Sequence, residues 1–238
     1  MATFVLVHGG WGGGWEWRLV AQRLQHGGHL AYRPTLTGLG ERRHLARTDI
    51  DLDTHIDDVL GVLESEDLTE VVLVGQSYGG AVVTGVADRA AARIRHLVYV
   101  DAFVPENGQS VNGLSGENFT EYLRGLAAES GDGWQVPVWF NAADQDLPDP
   151  VSEWYMSHVG PHPLATLDQP LLLTGAVEAV PRTYVDCEPP GLSSWVFRDF
   201  AERARSRGWG YRQLPVGHDA HVIDPDSLAL LLDEIAAA

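Results

Sequence analysis

A chain of 238 residues with 45% apolar side chains is long enough to bury one sizeable core, and lengths of this order commonly form a single α/β domain. The net charge of −17 repels polyanions and argues against nucleic acid and anionic membrane surfaces as partners. Cys187 is the single cysteine, so neither an intrachain disulfide nor a thiolate metal cluster can form.

Met1-Ala2-Thr3 runs straight into the apolar Phe4-Val5-Leu6-Val7, without a basic leader, a long apolar stretch or a small-residue cleavage site. A cytoplasmic setting fits, with nothing to target or span a membrane. In chain order, strands are predicted over Thr3 to His8, Leu30 to Tyr32, Glu70 to Gly75, Ile94 to Val100, Arg182 to Cys187 and Tyr211 to Leu214. Between them, Asp53 or Thr54 caps a helix that carries Ile56, Val59, Leu60 and Leu63 on one face. Gly80 to Ala92, Ser194 to Ser206 and Asp226 to Ala237 also read as helices. This alternation predicts a mostly parallel six-stranded sheet with helices on both faces, in one domain over residues 1–238.

Residues 104–180 break the alternation. No clear sheet strand is predicted there, but Phe119, Tyr122, Leu123 and Leu126 make a helical stripe, and Asp149-Pro150 through Gly160 has a cap, an early proline and a terminating glycine. The segment reads as a helical cap inserted over the sheet's C-terminal edge. Trp134, Trp139, Phe140, Trp154 and Tyr155 suit the lining of an apolar or aromatic pocket, and Trp11 of the first glycine loop is a further candidate for it. The plainer reading is that these aromatics form the cap's own core.

The strongest chemical signal is Gly75-Gln76-Ser77-Tyr78-Gly79, between the apolar Val71-Val72-Leu73-Val74 and a helical pattern. Strand, tight turn and helix in that order make a nucleophile elbow, in which flanking glycines allow a strained serine to stand exposed at the helix N-terminus. A serine hydroxyl needs a base within hydrogen-bond reach and an acid to orient that base. Only His218 and His221, of ten histidines, follow the last predicted strand. His218 in Val216-Gly217-His218-Asp219 is the candidate base, with His221 in reserve as a pocket or helix-entry residue. For the acid, Asp101 ends a predicted strand at the sheet edge, and Glu188 follows the later strand ahead of two prolines; Asp101 is preferred and Glu188 is the alternative. The oxyanion donors are the N–H groups of Tyr78 and Gly10, while His8 reads as a structural residue of its loop. The scattered histidines form no compact metal-ligand set.

These residues carry a resemblance. Phe4-Val5-Leu6-Val7-His8-Gly9-Gly10 with Gly14-Trp15-Glu16-Trp17, then Thr35 through Arg42, Gly75 through Gly80 and Gly217-His218-Asp219 resemble the plant methyl esterase and hydroxynitrile lyase family and its bacterial esterase relatives, within the α/β-hydrolase fold. The resemblance runs nearly end to end. It implies a compact sheet, a helical cap, no cofactor and a homodimer. It also supports His218, because the family's histidine precedes a proline by seven residues, here Pro225. There are two departures from the plant members: their acid falls on Pro190, a second reason to choose Asp101, and the positions of the lyases' threonine and lysine are Gly9 and Asp219. Without that cation cyanide departure has no electrostatic support, so the sequence favours a Ser-His-Asp serine hydrolase of small apolar or aromatic carboxylic esters over a lyase or a non-catalytic binding protein.

Overall fold

In the computed structural model, which describes residues 1–145, 147–187 and 194–238, the strands are β1 (Thr3–Val7), β2 (Leu30–Tyr32), β3 (Val71–Ser77), β4 (Ile94–Ala102), β5 (Gln135–Val136), β6 (His162–Pro163), β7 (Arg182–Cys187) and β8 (Gly210–Leu214). The helices are α1 (Arg18–His26), α2 (Leu52–Ser65), α3 (Gly79–Arg89), α4 (Val111–Ser115), α5 (Glu117–Ser130), α6 (Asp149–His158), α7 (Leu164–Asp168), α8 (Ser194–Ser206), α9 (Ala220–Ile223) and α10 (Pro225–Ala237). The main sheet has the order β2-β1-β3-β4-β7-β8, with every pairing parallel.

Alternation along each strand sends side chains to opposite faces and so builds two cores. Phe4 and Leu6 of β1, with Val72, Val74, Val98 and Val100, pack under α1 and α10. Val5, Val7, Leu73, Leu97 and Tyr99 pack under α2, α3 and α8 on the other face. All six predicted sheet strands are present, and no helix among the described residues is long and apolar enough to cross a membrane.

Several local expectations are corrected. The cap residue of α2 is Asp51, not Asp53 or Thr54: Asp51 accepts the Thr54 N–H at 2.9 Å while Thr54 Oγ1 accepts the Asp51 N–H, a reciprocal box that lets Leu52 enter the core in the first turn. The cap residue of α6 is Pro148 rather than Asp149. Residues 104–180 are not wholly helical, since β5 and β6 pair antiparallel. On α5, Leu123 is buried, but Tyr122 of the predicted stripe is exposed.

Candidate active site

β3 ends in Ser77 at φ 52°, in the left-handed region, and α3 begins two residues later. The turn is this tight because the backbones touch. A Cβ on Gly75 would lie 2.6 Å from the Gly79 carbonyl oxygen, and one on Gly79 would lie 2.6 Å from the His8 carbonyl oxygen. The Phe103 N–H donates to the Ser77 carbonyl at 3.0 Å and helps hold the strained residue.

Asp101 reaches the site through an irregularity in the sheet. Gln76 pairs with Val100 and Ser77 with Ala102, so Asp101 is an extra residue on β4, bulged at φ 44°. The Tyr184 hydroxyl braces the bulge between the N–H (3.1 Å) and carbonyl (3.2 Å) of Ala102. The buried Asp101 carboxylate then accepts the His218 Nδ1–H at 2.7 Å. His218 stands on the loop after β8, its ring stacked on Phe197 at 4.9 Å. Burial works against a charged imidazole there, but the hydrogen bond and charge of Asp101, with Asp219 and Glu16 behind it, outweigh burial and raise its pKa above the ordinary value. Glu188, the alternative acid, lies outside the described residues.

Histidines brace the loop after β1. His8 Nδ1–H donates to the Gly9 carbonyl (2.8 Å), and its Nε2 accepts the Leu36 N–H (3.1 Å). Burial pushes its pKa down to about 3, so His8 is a neutral strut. The Trp11 N–H donates to His162 Nδ1 (3.2 Å), and the Trp11 indole N–H to the Val136 carbonyl (3.0 Å). Gly10 faces Tyr78: a Cβ on it would sit 3.8 Å from the Tyr78 Cβ. The Tyr78 hydroxyl donates to His55 Nδ1 (2.8 Å), whose Nε2–H donates to the Thr37 carbonyl (2.9 Å). Burial lowers the His55 pKa to about 4. Asp58 fixes that partner loop by accepting from the Thr37 N–H, the Thr37 hydroxyl and Arg42. His55 and His162 carry no local motif, and only the fold brings them to Tyr78.

The predicted pocket residues divide. Trp11 packs on Trp139 and Phe140, each at 6.0 Å, beside His162 at 5.2 Å. Trp154 packs on Trp15 at 5.0 Å, and Trp134 lies in a separate groove with Thr48, Ile50 and Pro163. Tyr155 is buried beside the Glu16 and Asp219 carboxyls, which with burial push its hydroxyl pKa up, and it links α6 to the first loop and the histidine loop. His221 is wholly buried, 4.8 Å from the Trp17 ring and 3.5 Å from Glu16, with burial lowering its pKa to about 4. Burial raises the Glu16 and Asp219 pKa values. The sequence motifs gave no role to Gln76, whose buried amide reaches His218, or to Glu16.

A profile of the alpha/beta hydrolase family matches residues 4–229. The chain is 43% identical over 243 residues to the carbendazim hydrolyzing esterase of Nocardioides sp. (strain SG-4G), covering 96% of this chain and 97% of that protein. It is 25% identical to methylesterase 10 of Arabidopsis thaliana, over 98% of this chain and 91% of that one. Among solved structures it is similar in fold to an extracellular alpha/beta-hydrolase from a Paenibacillus species, with TM-score 0.86, 22% identity and 98% of each chain covered.

Proposed function

The chain belongs to the alpha/beta hydrolase family, and from that premise we propose that it is a serine esterase for small apolar or aromatic carboxylic esters, with Ser77 as nucleophile, His218 as base and Asp101 as the orienting acid. The observation that carries the reading is the hydrogen bond of His218 to the buried Asp101, 2.7 Å long, beside an elbow that ends in a strained serine. Asp101 holds the Nδ1–H tautomer and stabilises the imidazolium that forms. His218 Nε2 takes the Ser77 proton, the alkoxide attacks the ester carbonyl, and the proton passes to the departing alkoxide. Water deacylates the serine by the same route in reverse. The Tyr78 and Gly10 N–H groups stabilise the oxyanion, and the facing of the two residues supports this pairing.

Residues 104–180 act in this proposal as a cap within one domain. The indole bond of Trp11 to Val136 and the Gly160 N–H bond to the Trp11 carbonyl (2.9 Å) support that placement, and Trp11, Trp139 and Phe140 offer an aromatic wall. An ester is favoured over a cyanohydrin because Asp219, a carboxyl, stands where departing cyanide would need a cation. The full-length similarity to an esterase supports the same choice. Pairing as a homodimer belongs to the proposal and is read by sedimentation.

The test is hydrolysis of p-nitrophenyl acetate and of carbendazim, the compound in that relative's name. The wild-type protein hydrolyses the nitrophenyl ester and Ser77→Ala does not. Full activity in the alanine variant contradicts the assignment.

A further inference from the structure

Gln76 stands one residue before Ser77 and is 1% exposed. Its side-chain nitrogen lies 3.1 Å from His218 Nε2, 3.2 Å from the His218 carbonyl oxygen and 3.5 Å from Asp219 Oδ1. A primary amide nitrogen only donates, and the two oxygens beside it only accept, so these neighbours turn the NH₂ end of Gln76 toward the histidine. Facing that donor, Nε2 is the unprotonated nitrogen, while Nδ1–H is spent on Asp101. The imidazole is therefore held from both sides in one tautomer. The other end of the amide has a fitted place: a Cβ on Gly9 would come within 2.4 Å of Gln76 Oε1 and 3.1 Å of the Ser77 Cβ.

We propose that Gln76 is a positioning residue for the base: in the resting site its amide N–H caps the single lone pair of His218 Nε2, fixes the ring as the Nδ1–H tautomer and opposes formation of the imidazolium, and Nε2 exchanges this donor for the Ser77 hydroxyl in the step that removes the Ser77 proton. The proposal rests on the reading of His218 as the base of Ser77. The groups that face the ring give Gln76 its weight. Asp101 on β4, Asp219 in the same loop and Glu16 from the turn after β1 all favour a charged imidazole, His221 of α9 stands nearby, and Phe197 of α8 covers one ring face. Against the amide donor, the Nε2–H of the imidazolium finds no acceptor at Gln76 and is directed to the leaving alkoxide.

The test is NMR titration of the His218 ring in a Ser77→Ala background, its signals assigned by comparison with His218→Asn, for Gln76, Gln76→Leu and Gln76→Glu. Leucine removes the donor and glutamate replaces it with an acceptor, so the His218 pKa rises in both. The rise with glutamate is the larger, about one unit or more. In the Ser77 enzyme the acid limb of kcat/KM moves upward by the same amount. Gly9→Ala, which displaces the amide without changing it, shifts the pKa in the same direction. An unchanged or lowered pKa in Gln76→Glu overturns the proposal, and if that variant does not fold, the leucine variant decides by the same criterion. Because the titration needs no catalysis, it reads Gln76 separately from whether Ser77 cleaves esters.

Discussion

Asp101 shows how a single backbone irregularity can bring a carboxylate within hydrogen-bond reach of a histidine. In regular pairing its side chain would follow the alternation of β4 into one of the cores. The bulge at φ 44° carries it to the sheet edge, where His218 donates to it. Asp101→Asn should lower kcat by roughly 10⁴, while Glu188→Gln should leave it nearly unchanged; comparable small effects from both would remove Asp101 from the proposed triad. The pH profile carries the same information. A base works only when neutral, and the folded pKa of His218 is raised above 6.5, so kcat/KM falls as pH drops through a value above 6.5. In Asp101→Asn the acid limb moves to lower pH. The linkage to stability has the opposite sense: the pair stabilises the fold fully below pH 6.5, and this contribution fades as pH rises through the folded pKa. At this scale the strand, tight turn and helix around Ser77 were legible, because their signal is a local spacing. The bulge was not, and neither was the reach of Gln76 to a residue 142 positions away.

Between elements, Asp88 near the end of α3 carries much of the tie to the segment before β7. Its buried carboxylate accepts from the Thr174 N–H (2.6 Å), the Thr174 hydroxyl (3.0 Å), the Gly175 N–H (3.0 Å) and the Val177 N–H (3.1 Å). Burial alone would raise its pKa, and these donors overcome that and lower it. Asp88→Ala leaves several N–H groups without a partner and should cost on the order of 2–3 kcal/mol in urea unfolding at neutral pH. A depressed carboxylate contributes above its unfolded pKa of about 3.9 and loses that contribution as pH falls through the folded value, so the gap between variant and wild type should close in acid. An equal gap at pH 7 and pH 3 would contradict the role. Strand positions were legible here because each strand is a short apolar run between turn residues. Helix starts slipped by a few residues, at Asp51 and Pro148, because burial of Leu52 and the extended backbone of Pro148 decide them.

At the scale of the whole molecule, alternating runs and helical faces were enough to foresee a parallel sheet covered on both sides. The two-residue pairing of β5 with β6 was too short to leave a pattern, and the histidine struts under Tyr78 join residues that only tertiary structure brings together. The charge of −17 suits a neutral substrate, since a negative field that is indifferent to an ester repels the carboxylate product. Sheet, bulge, elbow and histidine loop converge on one claim, that Ser77 is an activated nucleophile. Mass spectrometry after exposure to a fluorophosphonate probe tests it most directly. One covalent adduct is expected, on Ser77, absent from Ser77→Ala and formed far more slowly in His218→Ala; an unlabelled protein, or an adduct on another residue, would contradict that role for Ser77.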